Sequence, residues 1–259
     1  MADGSSSLAQ VRVDGKFFRA GDEKFHPKGV AYGPFASHEN PGTAGFASPE
    51  QTARDFELIR ELGANVLRVY HVPPRWVLDL AAQFRLRLFI DIPWVKNRCF
   101  LDSSNAMEQA RGAVREAVRA CAAHPAVFAF SVVNEIPPDI ARWSGSREIG
   151  AFIEELIDIA RGVDPGCLCT FANYPPTEFL RARNADFLCF NVYLHHRRPF
   201  ENYLARLQMQ AETKPLILGE SGFDSQREGE AAKCEMLSWQ IEAGYRAGLA
   251  GMVVFSFTD

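Results

Sequence analysis

Two glutamates stand where strongly apolar segments of the sequence end. Glu135 follows AVFAFSVVN and precedes Ile136 and two prolines, and Glu220 follows PLILG. Burying a carboxylate is costly unless a charged or hydrogen-bonding partner accompanies it. Two carboxyl groups in different environments can divide acid and base work, because one keeps its proton while the other stays ionised. Glu135 and Glu220 are therefore the first candidates for chemistry.

The segments that must position these residues are short, apolar and regularly spaced. Nearly continuous apolar runs predict parallel strands covered on both faces. Amphipathic helical segments lie between them, such as SPEQTARDFELIRELG, which predicts a helix capped by Ser48 and ended by Gly63. Strict alternation of eight strands with about seven helices predicts an α/β fold, the (β/α)₈ or TIM barrel. We predict its strands at residues 27–33, 64–70, 87–93, 126–134, 167–173, 187–193, 215–220 and 251–257.

The chain is expected to form a single domain. We assign residues 11–259 to the barrel and residues 1–10 to a disordered or tag-like N-terminus. VRVDGKFF predicts a short hairpin that turns at Asp14-Gly15 and covers the barrel floor. The sequence stops directly after the eighth predicted strand, so we expect the last helix to be missing and the barrel to be part of a longer protein, fused to another domain. An open doubly wound sheet is the alternative, and no glycine-rich phosphate loop follows the first strand to support it.

Composition excludes several classes of partner. The formal charge of −4 with interspersed signs provides no basic surface for nucleic acid. No apolar run approaches the roughly 18 residues of a membrane span, so none is expected. The six cysteines form no CxxC pair and are interpreted as small buried hydrophobes, which predicts a reducing, cytoplasmic location. His195 and His196 are adjacent but have no evident third ligand, so we expect neither a metal nor another cofactor.

The barrel hypothesis indicates where the site should lie. Active sites of such barrels occupy the carboxyl ends of the strands. Strands four and seven face one another, so Glu135 and Glu220 are expected to enter one cleft. Such a pair suits glycoside hydrolysis, in which one carboxyl protonates the departing oxygen and the other attacks or activates water. The predicted substrate-binding residues around them are Asn134, Arg68, Tyr193, Tyr32, His71, Trp94, Asn191, His195 and Phe255.

Several of these residues have specific expected roles and simpler alternatives. Arg68 and Tyr193 are expected to hold Glu220 ionised, whereas an apolar setting should raise the pKa of Glu135. Arg68 could instead neutralise a buried acid for structural reasons alone. His71 is equally compatible with a turn before two prolines, and Trp94 with a place in the core.

Four segments also carry a family resemblance: VVNEIP, KPLILGESGFD, FLCFNVY and GANVLRVYHVPP. Together they resemble the retaining glycoside hydrolases of clan A. The similarity is greatest to the barrel domain of family 2, the β-galactosidase and β-glucuronidase family, and to the β-1,3-glucan transglycosylases. HPKGVAYGPF and the segment from residue 53 to residue 94 are similar to the opening of both, and the resemblance extends from about residue 11 to residue 259.

The resemblance implies a retaining glycoside hydrolase or transglycosylase that acts on a β-linked, glucan-like glycan through a glycosyl-enzyme intermediate. By this match Glu135 would be the general acid/base and Glu220 the nucleophile. Asn134 would bind the 2-hydroxyl of the sugar, and Arg68 and Tyr193 would position the nucleophile. Phe255 stands where the family often has a tryptophan beneath the sugar, which departs from the pattern.

Two other functions are weighed against this one. The first is a catalytically inactive carbohydrate-binding barrel within a larger glycan-processing protein. The second is a barrel enzyme of different chemistry, such as an aldolase or a metal hydrolase. No lysine ends a predicted strand and no His-x-His motif occurs, so the sequence offers the second little support.

Overall fold

A small antiparallel sheet precedes the main fold. The computed structural model describes residues 8–35 and 45–257. Its first three strands pair in the order β1-β2-β3, and the positive φ of Gly15, 61°, makes the first turn. The predicted hairpin is confirmed and is extended by a third strand that we did not predict, because three mostly polar residues show no apolar alternation. The three strands are β1 (Val11–Asp14), β2 (Phe17–Ala20) and β3 (Glu23–Phe25).

The following eight strands form a closed parallel barrel, as predicted. Around the barrel the order is β10-β11-β4-β5-β6-β7-β8-β9, so the last strand pairs with the first. Each strand begins or ends within a few residues of its predicted bounds. The barrel strands are β4 (Lys28–Ala31), β5 (Val66–Val69), β6 (Arg87–Asp91), β7 (Val127–Asn134), β8 (Cys169–Asn173), β9 (Leu188–Asn191), β10 (Leu216–Ser221) and β11 (Gly251–Val254).

Helices cover the outside of the barrel, with one interruption. The predicted cap is present, since Ser48 Oγ accepts from the backbone N–H of Gln51 at 3.3 Å, and Gly63 has the positive φ of a helix end. The expected strict alternation is wrong between β8 and β9, where two prolines start a connection whose only helical part is a 3₁₀ turn at Pro175–Thr177. The described helices are α1 (Pro49–Glu61), α2 (Arg75–Gln83), α3 (Ser104–Cys121), α4 (Pro138–Ser144), α5 (Ser146–Val163), α6 (Arg197–Ala211), α7 (Ser225–Glu228) and α8 (Glu230–Arg246).

The N-terminal sheet closes the floor of the barrel. Phe18 is fully buried, and its ring meets the rings of Phe128 and Phe187 edge-on at 5.2 and 5.4 Å. Val66 and Phe89 extend the same apolar cluster inside the barrel. Because the floor is filled, only the opposite end, where the strands finish, can admit a substrate.

The two ends of the chain and the cysteines were also the subject of predictions. Most of the N-terminal segment expected to be disordered, residues 1–7, lies outside the described residues, and Gln10 donates to the backbone oxygen of Gly166. Among the described residues no helix follows β11. Cys121, Cys169 and Cys189 are buried, but Cys234 is exposed, so its interpretation as a buried hydrophobe is wrong. Within the described part of the chain, no helix combines the length and hydropathy of a membrane span.

Candidate active site

Glu220 lies at the end of β10 and is surrounded by hydrogen-bond donors. Tyr70 donates to its Oε1 at 2.9 Å, Tyr193 donates to its Oε2 at 2.8 Å, and Arg68 Nη1 lies 3.2 Å from Oε1. The residue is only 7% exposed. Burial raises the pKa of Glu220 above its usual value, while Arg68 and the two tyrosines act in the opposite direction. The carboxylate is thus held in place by three donors, while its pKa stays above the usual value.

Arg68 is the hub of the site and has no exposed surface. Its Nε and Nη2 donate to Asp91 at 2.6 and 3.1 Å, and its Nη1 and Nη2 donate to Asn191 and Asn134 at 2.8 and 3.1 Å. Burial is the largest single influence and opposes the charge, but Asp91, Tyr70 and Cys189 together outweigh it and raise the pKa of Arg68 well above the usual value. This bidentate pairing holds the guanidinium in one orientation.

A glycine in β10 makes room for this arginine. A Cβ atom on Gly219 would lie 2.7 Å from Arg68 Nη1 and closer still to the sulfur of Cys189. The pairing of β10 with β9 also shifts register between Leu218 and Glu220. Such irregularities re-aim side chains next to active sites. Here the local sequence LGE turns the glutamate toward the arginine.

Glu135 follows β7 directly and adopts an unusual backbone conformation. Its φ is +48°, in the left-handed region that costs a residue with a side chain on the order of 1 kcal/mol or more. The backbone N–H of Glu135 still donates to the oxygen of Ala172 at 2.9 Å, so the residue remains attached to β8. The strained turn carries its side chain over the strand ends.

Asn191 connects the two acids. Its Oδ1 accepts from Arg68, which can only donate, so its Nδ2 must face the other way. That Nδ2 donates to Glu135 Oε1 at 2.7 Å and to Asn134 Oδ1 at 3.0 Å. Hydrogen bonds therefore connect Glu135 through Asn191 to Arg68, and the ion pair of Arg68 with Glu220 completes the connection between the two acids.

Sequence comparisons with known proteins give several matches. A glucanosyltransferase family model matches residues 2–81. The β-glucuronidase of Felis catus is 28% identical over 185 residues, which cover 66% of this chain and 27% of that protein. The β-glucuronidase of Paenibacillus borealis is 26% identical over 238 residues, which cover 84% of this chain and 38% of that protein. This chain is homologous to the clan A glycoside hydrolase barrel.

Solved structures share the fold of this barrel. A Ruminococcus gnavus β-glucuronidase in complex with uronic deoxynojirimycin superimposes with a TM-score of 0.81 at 17% identity, over 95% of this chain and 46% of that one. Bacteroides uniformis β-glucuronidase 2, covalently bound to cyclophellitol-6-carboxylate aziridine, superimposes with a TM-score of 0.79 at 18% identity, over 95% of this chain and 32% of that one. The chain thus spans less than half the length of the relatives it matches here.

Two residues that we predicted to bind substrate are buried. Tyr32 is 1% exposed, its hydroxyl donates to Asp55 Oδ2 at 2.7 Å, and its ring packs on Phe56. Asn191 is also 1% exposed and uses its amide for the hydrogen bonds already described. Arg68 is buried as well and contacts Glu220 instead of solvent.

Other predicted residues lie at the mouth of the barrel. Tyr193 and Phe255 are 43% and 39% exposed, and their rings meet edge-on at 6.4 Å. They line a cavity of about 600 Å³ with His195, whose ring contacts Phe223 at 5.1 Å. Half-buried His71 lies instead against Gly45, away from these contacts.

The opposite side of the mouth is formed by the segment after β6. Trp94 donates its indole N–H to the backbone oxygen of Val132 at 2.8 Å, and its ring contacts Phe100 edge-on at 5.1 Å. It also lines a cavity of about 180 Å³ together with Lys96 and Asn134. Trp94 therefore belongs to the core packing and the cleft at once.

Two residues near the acids were absent from the predicted site. Tyr70 lies two positions after Arg68, so a period of two at the end of one strand was the signal that could have found it. Lys96 lies on an irregular segment without such a signal. Burial lowers the pKa of Lys96, and the charges of Glu135 and Asp91 oppose this. Within residues 8–35 and 45–257, no group of three or more His, Cys, Asp and Glu side chains is arranged to hold a metal.

Proposed function

We propose that this barrel is a retaining glycoside hydrolase or transglycosylase for β-linked glycans, with Glu220 as the nucleophile and Glu135 as the general acid/base. The observation that carries the proposal is the set of contacts around Glu220, which accepts hydrogen bonds from Tyr70 and Tyr193 and forms an ion pair with Arg68. Glu135 accepts a hydrogen bond from Asn191, which also contacts this arginine. A nucleophilic carboxylate must be ionised and fixed in place; the donors to Glu220 favour the ionised form against the effect of burial and hold both carboxylate oxygens.

The reaction proceeds in two displacements. An oxygen of Glu220 attacks the anomeric carbon, the glycosidic bond breaks, and Glu135 gives its proton to the departing oxygen. Glu135 then takes a proton from water or from a sugar hydroxyl, whose oxygen attacks the anomeric carbon and releases Glu220. Water yields hydrolysis and a sugar yields transfer. Carboxyl groups about 5 to 5.5 Å apart are expected for this course.

Asn134 and Asn191 have different parts in this scheme. Asn134 Oδ1 already accepts from Arg68 and Asn191, which leaves its Nδ2 as a donor for the 2-hydroxyl of the sugar. Asn191 Nδ2 donates to Glu135 Oε1 at 2.7 Å and so holds this carboxyl group in position beside Asn134.

The first sugars to test follow from the relatives and from Lys96. The relatives named above are β-glucuronidases, and the matching family is described as a glucanosyltransferase. Lys96 places a cation in the cavity beside Asn134, which favours a sugar that carries a carboxylate as a second candidate beside a neutral glucan. Aryl β-glucuronides and aryl β-glucosides should be compared directly, with β-glucan oligosaccharides as donors and acceptors.

Covalent trapping provides the test. The 2-deoxy-2-fluoro-β-glucosyl and β-glucuronyl fluorides should each be incubated with the protein, and the labelled peptide identified by mass spectrometry. We expect the label on Glu220 and none on the Glu220→Gln variant. An anomer of inverted configuration appearing first in an NMR time course would contradict the mechanism. Sugar binding with neither label nor turnover would indicate a non-catalytic carbohydrate-binding barrel.

A further inference from the structure

A tryptophan projects from the end of the barrel that carries the acids. Trp143 is 71% exposed and lies in α4, a seven-residue helix that starts three residues after Glu135. Three backbone steps from Glu135 to Pro138 and five helical steps from there to Trp143 separate the two residues, so their Cα atoms are at most about 20 Å apart. The indole is therefore within reach of a short chain of rings bound at Glu135.

The exposed indole is held in place. Its N–H donates to Asp102 Oδ2 at 2.8 Å. Asp102 ends a 3₁₀ turn that begins at Phe100, and buried Phe100 packs against Trp94 of the cleft. A large ring that is fixed by its polar edge while its face stays in water loses little conformational entropy when it binds a ligand.

A second aromatic residue lies near α4. Tyr174 directly follows β8, and α4 lies next to the 3₁₀ turn that comes after it. Burial, and then the charges of Glu135 and Asp139, raise the pKa of Tyr174, as expected for a ring beside the acid and the first turn of α4. One aromatic ring thus lies on the helix that follows Glu135, and a second lies near this helix.

We propose that Trp143 and Tyr174 form the subsite for the leaving group and the acceptor, in which the indole stacks on the flat apolar face of a sugar or aryl ring. The assignment rests on the proposed function, because a proton from Glu135 reaches the departing oxygen and the leaving group therefore lies on the Glu135 side. The ring bound there leaves in the first displacement, and an acceptor replaces it in the second.

Leaving-group size separates this role from a structural one. For Trp143→Ala we expect kcat/KM to fall roughly three- to tenfold with a β-glucan trisaccharide or a 4-methylumbelliferyl β-glycoside, because one stacking contact is lost. The β-glycosyl fluoride, whose leaving group has no ring, should be turned over at the wild-type rate. A fall in kcat/KM with the trisaccharide alone would show that the indole stacks on sugar rings. A fall with the aryl glycoside alone would show that it stacks on aryl groups.

Matched variants complete the experiment. Trp143→Phe should keep most of the activity, and Tyr245→Ala, which removes an aromatic residue that is 84% exposed on α8, should change nothing. An equal loss on the fluoride and the trisaccharide, or no loss on either ring-bearing substrate, would overturn the subsite.

A protein that turns over no β-glycosyl fluoride would refute the proposed function. Binding of a sugar or aryl ring at Trp143 can still be measured in that case. The indole N–H resonance of Trp143, assigned with Trp143→Phe, should shift when laminaritriose or 4-methylumbelliferone is added. An unmoved resonance with both probes would overturn the subsite independently of catalysis.

Discussion

Replacement of Arg68 by methionine should destabilise the protein strongly. The side chain is fully buried and makes hydrogen bonds to Asp91, Asn191 and Asn134 besides its ion pair with Glu220. Methionine preserves much of the volume but leaves buried carboxylates without their cation. Breaking a buried pair in this way costs about 3–5 kcal/mol in the free energy of unfolding. In a chain of this size, that corresponds to a fall in Tm of roughly 6–20 °C.

The assay is urea denaturation of Arg68→Met beside a surface control. Arg75→Met removes an arginine whose side chain is 71% exposed and which pairs with Asp79 within one helix, so its loss should stay below about 1 kcal/mol. Both substitutions delete an Arg–Asp pair, but only Arg68 is buried and has further polar partners in Glu220, Asn191 and Asn134. Equal losses for the two variants would refute the claim that the buried hub holds the site together.

The loss in the free energy of unfolding caused by Arg68→Met should also depend on pH. Arg68 lowers the pKa of Glu220, so its removal raises that pKa further in the folded state. A group with a raised folded-state pKa stabilises the fold below its unfolded pKa and loses this contribution as pH rises through the folded value. The difference from wild type should therefore be largest near neutral pH and shrink as pH falls toward 4. A deficit that is constant with pH would contradict the electrostatic explanation.

Three further outcomes are expected. Tyr70→Phe removes a donor that lowers the pKa of Glu220, so the acidic limb of the kcat/KM profile should move to higher pH, and an unmoved limb would show that Glu220 does not set it. Because burial raises the pKa of Glu220, Glu220→Gln should unfold at a higher urea concentration than wild type near neutral pH and at the same concentration at low pH; a lower midpoint at both would contradict this. Gly219→Ala would push a Cβ atom against Arg68 and should cost about 1–3 kcal/mol in unfolding free energy, whereas Gly112→Ala in α3, with open space around it, should be neutral or stabilising.

The fold was readable because its signals are local. Eight apolar runs of strand length, separated by helical segments, identified the barrel strands, and a barrel places all strand ends on one face. The same rule brought Glu135 and Glu220 to that face. Where a local signal was weak, the prediction failed: the polar strand Glu23–Phe25 was missed, and a helix was expected between β8 and β9 where none forms.

The chemical state of the site depends on contacts between distant segments. The hydrogen bonds of Arg68 join residues 23, 66 and 123 positions away, and the bond from Tyr70 to Glu220 joins residues 150 positions apart. Residue types at strand ends marked Tyr32 and Asn191 as substrate-binding candidates, and only the structure showed that neighbouring elements bury both. The sequence alone was enough for the barrel and for which end bears the acids. Only the closed structure decided which side chains face water and which hold Glu135 and Glu220, because burial and hydrogen-bond direction arise when strands far apart in the chain become neighbours.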